Sequence, residues 1–532
     1  MTANHTECLD SSRLEPAGGL LGVPSYFFLL LIVPASTLSL WTITSYLSSP
    51  LRKYPGPLLA RFTRLWYLYQ ATTGETHLTL EKLHQKYGPI VRITPSIIDV
   101  DIPELIKTIF SIKGDWLKTP FYHGSSALVN GQIVLNIFSQ TDPVQHKRER
   151  YPIAKLYSSA AITSVEPHMD KVINQFCGIL EKRFMDGDNA DKVFDLGQWI
   201  LFYTWDVVGA VTFSQPTGYL EKGCDFDGTL DAADRAQDYF IVVGTMPFLD
   251  RVLDKNPICH IGPPGFNTIT GISIKHLQDR YQGNDKDYHD PETPDFLDKF
   301  IQVKDAKPDE VNDAQIISWL MINMIAGADT TAIAIRSSIY YSLKHPRVWK
   351  RLAQEILAAD FHGRTPPAYR EVKALPYTDA VIREALRMLP GVGFSMERHV
   401  PKQGFHLPNG DFLPGGTVVA MSPYILSRNK STYGADADEF RPERWLRDDE
   451  HGETEEQYQT RLLSMNQADL SFGGGSRICI GKNMGLFQTY KVFATLITSY
   501  EMELADPKKD WRVVNSWFPR PEGLQVRMRK RG

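Results

Sequence analysis

The sequence predicts a mainly α-helical protein with a small β-rich part, preceded by one membrane-crossing helix. Three observations predict it. Helical patterning dominates residues 140–390. Short strands and turns take over after 390. An uncharged stretch near the N-terminus is long and apolar enough to span a bilayer. The chain of 532 residues is 42% hydrophobic and 23% charged, an ordinary globular balance. Its net charge of -4 points to no nucleic-acid partner. Five scattered cysteines, with no CxxC, argue against a disulfide framework and a structural zinc site.

No charge occurs between Glu15 and Arg52. Residues 23–47 therefore read as a transmembrane anchor after a short lumenal segment, 1–22. Arg52, Lys53, Arg61 and Arg64 follow it while only Arg13 precedes it, so the positive-inside rule puts the rest of the chain in the cytosol. Asn4-His5-Thr6 would then be a lumenal glycosylation sequon. Pro55-Gly56-Pro57 cannot be helical and makes a stiff hinge. A helix is predicted over 76–87, and a strand pair over 90–94 and 97–100. The breaks at 187–189, 261–265 and 283–294 are spaced like loops between helices. The longest helix is predicted over 311–344. Short strands lie over 404–408 and 417–420, a polar surface excursion over 448–459, a last helix after Gly481, and two final strands. Residues 51–532 read as one domain.

The strongest chemical signal is Phe472-Gly473-Gly474-Gly475-Ser476-Arg477-Ile478-Cys479-Ile480-Gly481. A lone cysteine sits in a glycine-rich loop just before a helix. Glycines let backbone amides approach the sulfur, and amides with a helix N-terminus favour thiolate. Such a thiolate is an axial ligand for haem iron, and Arg477 is placed to meet a propionate. A second site is Ala326-Gly327-Ala328-Asp329-Thr330-Thr331. These are poor helix formers inside a long apolar helix, so a local opening is expected. An acid beside a hydroxyl is what proton delivery to dioxygen needs. Glu384 and Arg387, at i and i+3, share a helix face and can pair.

At these residues the chain resembles the cytochrome P450 family, over about 51–532, in tone the fungal microsomal, pisatin demethylase-like members. The resemblance implies haem b (iron-protoporphyrin IX) ligated by Cys479, within a loop marked by Phe472, Gly473 and Gly481. It implies that Ala326 and Gly327 lie beside the cofactor, that Gly327 makes room for dioxygen, that Thr330 hydrogen-bonds it and that Asp329 relays protons. Arg444 of Pro442-Glu443-Arg444-Trp445 would join Glu384 and Arg387 in a buried network that locks the cysteine loop. Arg398 and Arg150 match propionate cations. His146 stands where the family often has Trp, and either donates to a propionate or sits at the surface. The substrate pocket would draw on 114–135, 321–328, Val392, Phe394, Trp517 and Phe518, although any of these aromatics could equally be core. The implied function is oxidation of a lipophilic small molecule with O2 and electrons from NADPH through cytochrome P450 reductase, in the endoplasmic reticulum membrane and in fungal secondary metabolism. Lys147 and Arg148 either dock that reductase or are simply solvated. A haem-thiolate isomerase or dehydratase would use the same cysteine without O2, and a non-enzymatic haem protein would need no apolar pocket. Asp329-Thr330 favours the monooxygenase over both.

Overall fold

The structure is a computed structural model that describes residues 25–129, 131–189, 191–259, 261–262 and 267–531. The sequon at Asn4 and the segment 1–22 lie outside the described residues, as do the first two positions of the apolar stretch. The rest of that stretch forms one helix, α1, Ser25–Ser48. Its 24 residues extend ~36 Å. Val33, Leu38, Leu40, Trp41, Ile43 and Leu47 on it are exposed. The hinge that follows is seated on the body: the Arg92 amide donates to Pro55 O at 2.7 Å. A Cβ at Gly56 would lie 2.1 Å from Arg92 O, so only glycine fits.

After a helix over Leu65–Thr73, the body continues with a second helix, α2 (Thr76–Tyr87), that stops at Gly88, whose φ is 89°. Strands β1 (Ile90–Arg92) and β2 (Ile97–Val100) pair antiparallel, Ile90 opposite Val100. They join β3 (Met396–His399) and β4 (Val418–Met421) in a sheet of order β1-β2-β4-β3, with β2 and β4 parallel. The helical bulk includes α3 (Pro143–Arg150), α4 (Glu166–Phe184), α5 (Leu196–Phe213) and α6 (Thr229–Thr245). The longest helix, α7 (Asp313–Lys344), starts where the Asn312 side chain accepts the Gln315 amide at 3.0 Å. It ends just before His345-Pro346. By length and composition α7 could cross a membrane, yet it runs through the core. Helices α8 (Pro376–Met388) and α9 (Lys482–Ser499) pack on it. Trp205, Trp319, Phe176 and Phe493 are buried among these helices, each worth about 1.5–3 kcal/mol of apolar burial.

Three expectations need correction. Helix α7 is unbroken through 326–331: Thr330 Oγ1 donates to Ala326 O at 2.7 Å, so the hydroxyl bonds within its own turn and does not open it. The stretch 448–459 lies at the surface as expected but is not all loop: a helix starts at Glu455 and runs to Ala468, because Thr454 and Gln457 form a reciprocal capping box. The chain closes with four strands: β5 (Tyr500–Leu504), β6 (Arg512–Asn515), β7 (Pro519–Glu522) and β8 (Gln525–Lys530). β5 pairs with β8, and β6 with β7 in a hairpin whose tip carries Trp517 and Phe518.

A charged cluster fastens α8 to the loops before the cysteine segment. Glu384 accepts from Arg387 at 2.8 and 2.9 Å, from Arg444 Nε at 2.8 Å and from Trp445 Nε1 at 2.8 Å. Arg387 also donates to the carbonyls of Ser427 and Ala437, both at 2.6 Å. Burial alone would raise the Glu384 carboxyl. The hydrogen bonds and charges of Arg387 and Arg444 outweigh this and hold it below its ordinary 4.5. A carboxyl lowered by folding stabilises the native state above its unfolded pKa, and that contribution is lost as pH falls. Arg444→Met, which leaves the carboxylate buried with one cation fewer, is expected to cost about 3–5 kcal/mol in chemical denaturation at pH 7. The difference from the parent should shrink below pH 4.5 as acid neutralises Glu384.

Candidate active site

The segment before α9 folds into a tight turn. Gly473 and Gly475 take φ of 71° and 57°, conformations that side chains resist. A Cβ at Gly475 would lie 1.9 Å from Phe110 O, so the turn is pressed against the Phe110–Ser111 backbone. The Cys479 amide closes the turn on Phe472 O at 2.8 Å. Gly481 has an ordinary φ of -82°, and a Cβ there would touch the Cys479 sulfur at 4.0 Å. The sulfur lies deep in the fold and is accessible because it opens onto a cavity of about 260 Å³. Burial pushes the thiol up, while the Gly481 amide, Arg150 and the Lys482 amide and charge pull it down. Burial wins, so the amides alone do not produce the thiolate that the loop composition predicts. A coordinating metal deprotonates a thiol outright.

Four cations border the same cavity: Lys118, Arg150, Arg398 and Arg477. Among the described residues none of them forms an ion pair. Arg477 donates to Gln140 O at 2.7 Å, Arg150 to Ile478 O at 2.8 Å, and Arg398 to Tyr122 OH at 3.0 Å. Burial, then repulsion from Arg398, pulls Arg477 down to about 10, and the same causes with Arg477 lower Lys118 further from its ordinary value. Lys118 also lies over the Tyr122 and Phe138 rings at 4.0 and 4.4 Å. Glu397, beside Arg398, faces elsewhere and accepts the Thr119 hydroxyl at 2.7 Å. His146 is buried at the cavity wall, and burial with Arg477 pulls it down to about 3, so it is neutral. Facing the sulfur side, α7 contributes Asn323, Ala326, Gly327, Thr330 and Thr331.

A family model described as Cytochrome P450 matches residues 55–526. The chain belongs to the cytochrome P450 family. It is 42% identical over 505 residues to the cytochrome P450 monooxygenase cfoH of Aspergillus candidus, covering 95% of this chain and 92% of that one. It is 35% identical over 493 residues to the cytochrome P450 monooxygenase AFLA_114810 of Aspergillus flavus (90% and 93%), and 33% identical over 482 residues to cicH of Emericella nidulans (90% and 93%). A P450 is an oxidoreductase that carries haem with cysteine thiolate ligation, and this cavity fits that group. It offers one cysteine sulfur, apolar walls and buried or half-buried cations that, among the described residues, lack the carboxylates that two propionates would bring.

The remaining residues singled out from the sequence divide in this P450. Phe472, Gly473, Val392, Trp517 and Phe518 border the cavity. Phe394 does not: it is fully buried against Phe121 and Tyr67, as core behind the wall. Asp329 does not border it either. Neighbours on a helix point ~100° apart, and Asp329 turns toward α5, where its carboxylate accepts Trp205 Nε1 at 3.1 Å. A Cβ at Gly327 would approach Val208 of α5 within 3.0 Å, so the glycine permits close α5–α7 packing. The roof segment reaches beyond 114–135, to Ile137 and Phe138. Lys118, Tyr157 and Gln488 also line the cavity without having been singled out. Gln488 is buried with both amide atoms unpartnered, and nothing in its helical surroundings marks it. Cys479→Ala is expected to abolish the red-shifted Soret band of the reduced, carbon monoxide-treated protein, and an unchanged band would place the ligand elsewhere.

Proposed function

We propose that the chain is a membrane-anchored monooxygenase that inserts one oxygen atom of O2 into a lipophilic small molecule, with electrons from NADPH delivered by cytochrome P450 reductase. One observation carries the reading: the Cys479 sulfur and the Thr330 helix segment open on one largely apolar cavity rimmed by unpaired cations. Haem held by Cys479 supplies the chemistry of dioxygen reduction and oxygen insertion.

The protein's own part is binding, orientation and proton supply. Arg398, Arg477, Arg150 and Lys118 hold the two propionates, and neutral His146 donates to one of them. Ile137, Phe138, Val392, Trp517 and Phe518 enclose the substrate and exclude water. Thr330 exchanges its bond to Ala326 O for one to dioxygen, and Asp329 replaces the proton it passes on. Lys147 and Arg148 are exposed on α3, directly after the buried His146, and suit an acidic reductase surface. Glu384, Arg387 and Arg444 keep the cysteine loop seated.

The length and outward apolar surface of α1 support an anchor in the endoplasmic reticulum membrane, with the catalytic body cytosolic. Leu58, Leu59, Leu65 and Tyr69, exposed just beyond it, suit contact with the lipid surface. The fungal sources of the named relatives support a role in secondary metabolism.

The deciding experiment measures NADPH-dependent oxygen uptake in reductase-containing microsomes, with mass analysis of product. Uptake with gain of one oxygen is expected. Conversion of substrate without uptake would establish isomerase or dehydratase chemistry instead. In that assay Thr330→Ala should retain haem yet divert most electrons to peroxide, and tightly coupled turnover would remove Thr330 from the relay. Deleting residues 1–50 should shift the protein from the membrane pellet to a weakly bound, salt- and detergent-releasable fraction.

A further inference from the structure

Among the described residues that border the cavity, only Gln488 holds two buried polar atoms that the chain leaves without a partner. It lies on α9 and is 1% exposed. An amide taken out of water keeps its demand for hydrogen bonds, and a demand the protein does not meet is met by a bound molecule or stands as a cost. Thr489, beside it on the wall, makes no such demand: its hydroxyl donates to Gly485 O at 2.8 Å.

The packing of three helices locates the amide. Gly485 and Gln488, at i and i+3, share one face of α9. A Cβ at Gly485 would touch Thr331 Oγ1 of α7 at 3.4 Å, and a Cβ at Gly391, just past α8, would touch Thr330 Cβ at 3.7 Å. Ala334, one turn beyond Thr331, and Leu386 of α8 border the cavity as well. The Thr331 hydroxyl makes no hydrogen bond among the described residues, while Thr330 spends its own on Ala326 O. Ser337, two turns past Thr330 on the same face of α7, is fully buried with its hydroxyl unpartnered. Open bonding capacity thus collects where α7, α8 and α9 meet. Amide and hydroxyl both donate and accept, and neither carries charge. Their match is a neutral donor and acceptor, and water is the one small enough for a corner bounded by helices.

We propose that Gln488 and Thr331 hold an internal water in this corner, and that Gln488 is a positioning residue for proton delivery at Thr330. The second half rests on the reading of Thr330 as the delivering hydroxyl. Asp329 turns to Trp205, so the cavity side of α7 has no acid of its own there and order falls to neutral groups. The amide and the Thr331 hydroxyl share the water between them and keep it beside Thr330. Gln488 gives up no proton; it fixes where the water stands.

The test compares holoenzymes of Q488M, Q488E, T331V, T331S and the double variant Q488M/T331V with the parent, each first shown to give the parent's carbon monoxide spectrum. Thermal unfolding of the ferric protein needs no turnover. Methionine has nearly the volume of glutamine without the amide, so it removes a liability if nothing is bound and strands a water if one is. Tm should fall in Q488M and in T331V, and fall in the double variant by less than the two losses added, because both release the same water. A Q488M more stable than the parent, or strictly additive losses, overturns the water site. A crystal structure of the substrate-free holoenzyme should show density between Gln488 and Thr331 that Q488M lacks; density there only with substrate bound makes the corner a substrate subsite and overturns the proposal. With the substrate found by the oxygen-uptake assay, product per NADPH should fall several-fold in Q488M and T331V, with peroxide making up the difference, and recover in Q488E and T331S. A fully coupled Q488M beside an uncoupled Thr330→Ala overturns the positioning role alone. A fully coupled Thr330→Ala overturns the relay and that role with it, and the thermal and crystallographic results then decide the water site by themselves.

Discussion

Like charges crowded at one cavity are the constraint on which the site depends. Lys118 and Arg477 are both held below their ordinary values, by burial first and then by the charge of Arg398, and among the described residues neither forms an ion pair with a carboxylate. Backbone carbonyls and the rings of Tyr122 and Phe138 reduce the repulsion without neutralising it. A group bringing two negative charges relieves the rest, so cofactor binding and local stability are linked in sign. Cations on four separate segments therefore behave as one site, even though the chain joins them only through distant loops.

Behind that site stands the Glu384 cluster, where buried charge is fully paired. The contrast is instructive. Glu384 meets two arginines, an indole and the Arg441 amide, so its polar capacity is met internally. Such a cluster locates α8 and the loop carrying Arg444 with little freedom, and the cation-lined cavity inherits that rigidity.

Much of this was legible because it is local in sequence. Cys479, Arg477 and the glycines lie within ten residues, and the turn they form obeys short-range rules. Glu384 and Arg387 are one helical turn apart. The α2 boundaries and the β1–β2 pair follow from apolar periodicity bounded by glycine and proline. What was not legible depends on tertiary direction. Val392 and Phe394 look equivalent two residues apart, yet Gly393 bonds to Trp517 O and the chain carries Phe394 into the aromatic core. Lys118 stands in a stretch with no repeating pattern, and only the path of its loop brings it to Arg398. The side that Asp329 faces follows from helix geometry once Thr330 is set toward the cavity, but its indole partner lies on another helix.

The glycine turn has a consequence beyond the cysteine. With Gly474 against the Phe110 side chain and Gly475 against its carbonyl oxygen, the cysteine loop and the stretch leading to the cavity roof are seated as one mechanical piece. Ile137 and Phe138, on the cavity wall, lie outside that joint, so substitutions there leave the glycine turn and its seat untouched. Substitutions at Phe110 or Ser111 instead press on Gly474 and Gly475 themselves, so the two stretches tolerate redesign unequally.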